Sequence, residues 1–319
     1  MRTNLQGNTS SALTPLLSSV SPWLQLSAGL RTTFTTMAEQ PLKKYRANCH
    51  CAAYVFEVNL PETVKAGLQD DDSYCYKRGG IYYCLQSSDD IKYEKGDPST
   101  LSSYSFGNVK HQFCPNCGTY LFRVDSKVYV NLRAFQSFNE WNLYIEQLEN
   151  ASSMPSWSPP KFNGQEPPAE IEGAKIYTGG CHCGAVTLAL KSKPIDSTYD
   201  ANIILCDCSI CNRNAYCWIY PSKSQVTIVG ASHFGYYSFG RGIWKKSFCR
   251  TCGVPIHNHI DNYTPAQIAE LPEDKRQWTI DHLDWSPINL RVLDGVNLSE
   301  LPIKRIEGSK LGFAPYANP

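Results

Sequence analysis

The sequence predicts a mainly β protein built from two tandem copies of a small β-sheet domain, preceded by a disordered tail. Three observations predict it. The chain is rich in turn-formers and in aromatic residues, with 21 Gly, 20 Pro, 19 Tyr and 12 Phe, a composition that favours short strands joined by turns. Eleven of its 14 cysteines fall in close Cys-x-Cys or Cys-x-x-Cys spacings. The same series of short motifs occurs twice, in the same order.

The chain has 319 residues, enough for about two domains with a core in each. Its formal charge is +1. That balance gives no footprint for nucleic acid or for an anionic membrane, and no run of about 20 apolar residues marks a membrane span.

The spacing of the cysteines separates metal ligation from disulfides. Cys-x-Cys occurs at Cys49/Cys51, Cys181/Cys183 and Cys206/Cys208; Cys-x-x-Cys occurs at Cys114/Cys117, Cys208/Cys211 and Cys249/Cys252. One ion needs several thiolates converging at about 2.3 Å, and close pairs supply them. Nothing at the start of the chain reads as a secretory signal that would favour disulfides.

The first copy runs from Cys49-His50-Cys51 through Tyr104-Ser105-Phe106-Gly107 and Phe113-Cys114-Pro115-Asn116-Cys117-Gly118 to Asn131-Leu132-Arg133. The second runs from Cys181-His182-Cys183 through Tyr237-Ser238-Phe239-Gly240 and Phe248-Cys249-Arg250-Thr251-Cys252-Gly253 to Asn289-Leu290-Arg291. The expected organisation is a tail over 1–40, a first domain over 41–150, a Pro-rich extended linker over 151–173 and a second domain over 174–310. An insert over 261–284 of the second copy carries a helix-like stretch at 265–271. Residues 1–36, rich in Ser and Thr and free of acids, read as a disordered tail in a cytoplasmic protein, with a mitochondrial presequence as the alternative.

In a strand, residues i and i+2 share a face, so each Cys-x-Cys pair is expected to aim two sulfurs the same way. The simplest pairing sets Cys49, Cys51, Cys114 and Cys117 around one ion, and Cys181, Cys183, Cys249 and Cys252 around another. A closed set of four thiolates fits structural zinc better than an iron–sulfur cluster. His50 and His182 then fall on the opposite face as surface or packing residues. His257 and His259 are expected to be structural, and Lys43-Lys44 and Lys245-Lys246 to be solvated.

Cys206, Cys208 and Cys211 belong to the second copy alone. Three ligands with a free fourth position suit a zinc site that accepts an external thiol. Arg213 follows as a group to offset charge or hold a carboxylate. Cys217 either closes this site with a fourth sulfur or is a small buried hydrophobe; the open site is the expectation. In the first copy Asp70, Asp72 and Cys75 stand opposite the three cysteines. That is a poor soft-metal set, so the second site is expected to be lost there.

The ordered elements of the second copy resemble the glutathione-dependent formaldehyde-activating enzyme family, also called the centromere protein V domain. Cys181, Cys183, Gly184 and Val186 match its first element; Cys206, Cys208, Cys211 and Arg213 match its second; Phe248, Cys249, Cys252 and Gly253 match its third. The first copy matches the first and third elements but lacks the second. The resemblance implies small zinc-clasped sheets (a β-tent), about three zinc ions per chain, and a carbon–sulfur lyase activity on an adduct of glutathione and formaldehyde. It makes Cys206, Cys208 and Cys211 the reactive site and a glutathione-like thiol the partner. The competing expectation is a non-catalytic zinc scaffold that binds a protein or a small thiol.

Overall fold

The computed structural model describes residues 41–149, 151–240, 242–310 and 316–319. The tail expected over 1–40 lies outside the described residues.

The fold is mainly β, in two similar halves. In the first, Leu42–Asn48, Val55–Pro61 and Ile91–Lys95 form an antiparallel three-stranded sheet. A seven-stranded sheet follows in the spatial order Tyr144–Leu148, Ala66–Asp70, Tyr82–Cys84, Val128–Asn131, Tyr120–Val124, Val109–Phe113 and Ser102–Phe106. The second half repeats the plan. Lys175–Gly180, Thr187–Ser192 and Val226–Val229 make the small sheet, and the large one runs Lys304–Ile306, Ile204–Cys206, Cys217–Ile219, Ile288–Asn289, Pro255–His259, Lys245–Cys249 and Phe234–Ser238. Each large sheet is mixed, because its last strand pairs parallel with its first: Leu148 lies opposite Asp70, and Ile306 opposite Cys206.

A one-turn helix interrupts each large sheet, α1 (Ser73–Arg78) in the first half and α2 (Ser209–Asn214) in the second. Asp72 caps α1 by accepting from the Tyr74 and Cys75 amides at 2.8 and 2.9 Å, which satisfies donors a helix start leaves open. Both helices end on a left-handed residue, Gly79 at φ 60° and Ala215 at φ 53°. The two ends abut. A Cβ on Gly79 would lie 2.4 Å from that of Ala215, so the junction has room for one methyl and not two.

The insert of the second half holds two helices, α3 (Pro265–Ala269) and α4 (Glu273–His282). The first coincides with the expected helical stretch. Its start carries a reciprocal cap between Thr264 and Gln267, a recognised start signal. No helix among the described residues is long and apolar enough to cross a membrane.

The hydrophobic core does not stop at the boundary between the halves. Tyr74, Tyr82, Phe106 and Tyr120 share one buried cluster with Val186, Leu188, Val254 and Leu290. Phe113 and Phe248, the aromatic residues of the two Phe-Cys-x-x-Cys-Gly turns, each pack on the other turn's glycine. A Cβ at Gly118 would come within 2.7 Å of Phe248, and one at Gly253 within 2.8 Å of Phe113. The stretch over 151–173 packs rather than hangs free: Trp157 donates to the His182 carbonyl at 3.1 Å, and the Ala169 amide to the Ser224 carbonyl at 3.1 Å.

Candidate metal centres

Four cysteines converge in each half. In the first, Cys49 and Cys51 sulfurs lie 3.6 Å apart and Cys51 and Cys114 3.6 Å apart, with Cys117 completing the group. In the second, Cys181 and Cys183 lie 3.5 Å apart and Cys183 and Cys249 3.7 Å apart, with Cys252 completing it. A tetrahedral ion bonded to sulfur at about 2.3 Å sets its sulfurs about 3.8 Å apart, so both groups have the size of a closed zinc site. All 14 cysteines are free thiols.

The sulfurs meet by a route the sequence did not indicate. The strands end at Asn48 and Gly180, before the cysteines. Each Cys-x-Cys lies in a turn, and left-handed residues, Ala52 at φ 58° and Gly184 at φ 80°, close it. The Cys-x-x-Cys turns match one another: the Gly118 amide donates to the Cys114 carbonyl at 2.9 Å and the Gly253 amide to the Cys249 carbonyl at 2.7 Å. Tyr54 and Val186 each donate a backbone N–H to a cysteine sulfur, at 3.3 and 3.2 Å.

Each clasp is fastened to the helix of the other half through the histidine between its paired cysteines. His50 contacts Ser209 Oγ of α2 at 2.9 Å and Tyr237 Oη at 2.9 Å, and stacks on Tyr316. His182 contacts Ser73 Oγ just ahead of Tyr74 on α1 at 3.0 Å and Tyr104 Oη at 2.9 Å, and stacks on Trp157. Phe239 and Phe106 close the same rings edge-on. The repeated Tyr-Ser-Phe-Gly thus has a physical job: in a strand its Tyr and Phe share a face, and that face grips the other half's histidine. Both histidines are packing residues. Burial holds them neutral, with His50 pushed down to about 3 and His182 to about 4.

The third group is Cys206, Cys208 and Cys211, whose sulfurs all lie within 4.8 Å of one another. Cys206 ends a strand, Cys208 is the N-cap of α2, and Cys211 stands three residues on. Those helix positions face each other, as in a capping box. Trp218 donates Nε1–H to the Cys211 sulfur at 3.4 Å. Hydrogen bonds from Cys206 and then Cys211 hold the Cys208 thiol far below the ordinary thiol range, and Lys246 adds to this. Gly308 lies against Cys206 so closely that a Cβ there would meet its sulfur.

Cys217 is not part of this group. Along 216–220 the side chains alternate: Tyr216 and Trp218 pack beside the three cysteines, while Cys217 and Ile219 face the main core. Strand alternation settles the choice between fourth sulfur and buried hydrophobe in favour of the hydrophobe. Arg213 is not brought to the sulfurs either. Its guanidinium donates to the Asn48 carbonyl and Asn48 Oδ1 at 3.2 Å each, to the Ser209 carbonyl at 3.1 Å, and to Asn318 Oδ1 at 3.1 Å. It fastens α2 to the first clasp. Lys246 corrects the expectation of a solvated lysine pair. It is 9% exposed and lies 5.0 Å from the Trp218 ring centre and 5.7 Å from that of Tyr216, a cation–π arrangement. His257 is buried against Ser247 Oγ at 2.6 Å, and His259 pairs with Asp261 at 3.3 Å.

In the first half the matching group is Asp70, Asp72 and Cys75. Arg123 places Nε 2.5 Å from Asp70 Oδ2 and Nη1 2.5 Å from Asp125, so a guanidinium occupies the cation's role. Asp72 serves as the helix cap. Tyr82 Oη reaches the Cys75 sulfur at 3.2 Å, as Trp218 reaches Cys211. Arg123→Met removes the cation beside a buried carboxylate and is expected to cost about 3–5 kcal/mol in denaturant unfolding. Asp70→Asn on that background restores most of it. A loss below about 1 kcal/mol, the range of a surface pair, would show that the ion pair has no structural weight.

Residues 176–273 match the family described as glutathione-dependent formaldehyde-activating enzyme. The match lies within the second half. A crystal structure of a Rhodobacter sphaeroides protein is also similar, at 28% identity over 40% of this chain and 97% of that one, with a TM-score of 0.29. The formaldehyde-activating family's description points to a glutathione-related function, and the three cysteine groups of this chain could hold metal ions.

Proposed function

We propose that the second half is a zinc-dependent carbon–sulfur lyase-type enzyme acting on a glutathione–aldehyde adduct such as S-hydroxymethylglutathione. The observation that carries this reading is the contrast between sulfur groups. Two of them have four thiols, the number that closes a zinc ion. The third has three, with no further sulfur in reach among the described residues. Zinc held by Cys206, Cys208 and Cys211 would offer its fourth position to a thiol and keep that thiol ionised near neutral pH.

The chain's own groups fit this use. Trp218 holds the Cys211 sulfur by a hydrogen bond. Lys246 sets a positive charge near the three thiols and offsets part of theirs. In the reaction the carbon–sulfur bond breaks with its electron pair left on sulfur. The hydroxymethyl oxygen gives up its proton as the carbonyl forms, and the aldehyde leaves; the reverse sequence builds the adduct. The two clasps of four cysteines hold structural zinc in this reading.

Metal analysis with a thiol titration tests it. About three zinc ions per chain are expected, one of which responds to added glutathione while the closed pair do not. A protein carrying only the two closed ions, with no response to glutathione, would leave a scaffold and not an enzyme.

A further inference from the structure

A cleft of about 220 Å³ opens between the two halves and is lined by Cys206 and Cys211. Its wall carries three guanidiniums and one carboxylate: Arg133 and Glu140 from the first half, Arg291 and Arg305 from the second.

Two of the arginines are equivalents from the Asn-Leu-Arg repeats, and the fold locks both. Arg133 donates Nε–H to the Gly79 carbonyl at 2.7 Å and reaches the Asn212 carbonyl at 3.3 Å. Arg291 donates Nε–H to the Ala215 carbonyl at 2.8 Å and reaches the Tyr76 carbonyl at 3.2 Å. Each therefore caps the last turn of both short helices, where carbonyls lack partners and cations are favoured. Arg305 stands beside Leu205, one residue before Cys206. It is exposed and lies over the Trp141 ring at 5.4 Å, and its side chain makes no hydrogen bond to the described residues.

The charges do not balance. Glu140 pairs with Arg133 at 3.1 Å, which leaves Arg291 and Arg305 without a carboxylate among the described residues. The second oxygen of Glu140, Oε2, is buried with no hydrogen-bond partner among the described residues. A buried acceptor left unmade is costly, as are guanidiniums sharing a cleft. A ligand bearing a carboxylate and an ammonium would answer both.

We propose that this cleft binds the amino-acid end of a thiol ligand, its carboxylate between the guanidiniums and its ammonium on Glu140 Oε2. The inference rests on the thiol reading above and adds a role for the first half. Having no three-cysteine group of its own, that half supplies Arg133 and Glu140 as recognition groups for the sulfurs of the other.

The test uses the full chain and calorimetry with S-methylglutathione, whose blocked sulfur separates the cleft from the thiol site. The parent protein is expected to bind it. Arg305→Gln, which disturbs no cap, weakens binding by about tenfold, the scale of one charge-assisted hydrogen bond. N-acetylation of the probe weakens it by a similar factor. Arg133→Lys, which keeps the charge but not the fork, gives a smaller loss. Failure of the parent protein to bind S-methylglutathione at millimolar concentration overturns the proposal. Binding that Arg305→Gln and N-acetylation both leave within about twofold also overturns it, since the lost contacts should cost about tenfold. Turnover of the glutathione adduct reports separately on the lyase reading: binding that follows the Arg305 pattern without turnover keeps the cleft and removes the enzyme.

Discussion

Cys114→Ser is expected to unfold the first half and, with it, to empty the three-cysteine group of the second. A structural zinc ion contributes about 10–16 kcal/mol in small zinc peptides. That matches the whole stability of a typical domain, about 5–15 kcal/mol. Cys114 belongs to the clasp that ties the turn after Leu42–Asn48 to a turn more than sixty residues later. The damage travels because the clasp is not private to its half. His50 lies between two of its cysteines and holds Ser209 at the start of α2, and Arg213 holds Asn48 from the same helix. Cys208 and Cys211 ride on that helix. Thermal unfolding and metal content read the result. The expected pattern is an early transition and the loss of two ions rather than one. His50→Phe separates clasp from coupling: it keeps the four sulfurs but breaks the contacts to Ser209 and Tyr237. It should retain the first ion and weaken the third. A Cys114→Ser protein with parental melting and a full third site would disprove the coupling.

Cys206→Ser carries the other large effect, on rate rather than fold. Groups that merely stand behind metal ligands cost 10–100-fold in affinity or activity when removed. Loss of one of three ligands should lower turnover of the glutathione adduct by more than about 100-fold. Melting should move far less than for Cys114→Ser, because both closed clasps remain. Cys217→Val is the control. Cys217 is fully buried in the core, so a small apolar replacement should keep turnover within about twofold. If Cys206→Ser turns over the adduct like the parent, the assigned chemistry is wrong. If Cys217→Val removes a metal ion, the site is closed and not open.

Much of this site could be read from residue spacing. Seven cysteines of the second half and four of the first stand where sulfur spacing placed them, in groups that meet within 4.8 Å. The duplicated Tyr-Ser-Phe-Gly and Asn-Leu-Arg segments were visible as repeats, but their partners were not. The tyrosine and phenylalanine of each tetrapeptide grip a histidine of the opposite half, and each arginine caps a helix of both halves. Periodicity within one copy cannot reveal a contact made to the other copy. The same limit explains Lys246. A lysine pair suggests a wet face, yet strand alternation turns one of the two onto the Trp218 and Tyr216 rings. It also explains Trp157, which sits in a Pro-rich stretch that reads as linker but packs on His182.

By itself the sequence determined the β class, the duplication, the grouping of the sulfurs and the replacement of two of the three thiols of the third group by carboxylates in the first half. Those follow from local rules: residue type, short spacing and repeat order. Only the tertiary structure decided that each clasp is latched by the opposite half, that Cys217 faces the core, that Arg213 faces the first clasp, and that four charged groups from both halves share a cleft beside Cys206. These depend on which surfaces of two similar units meet, and that is set by packing across their boundary, where residues distant in the chain compete for the same space.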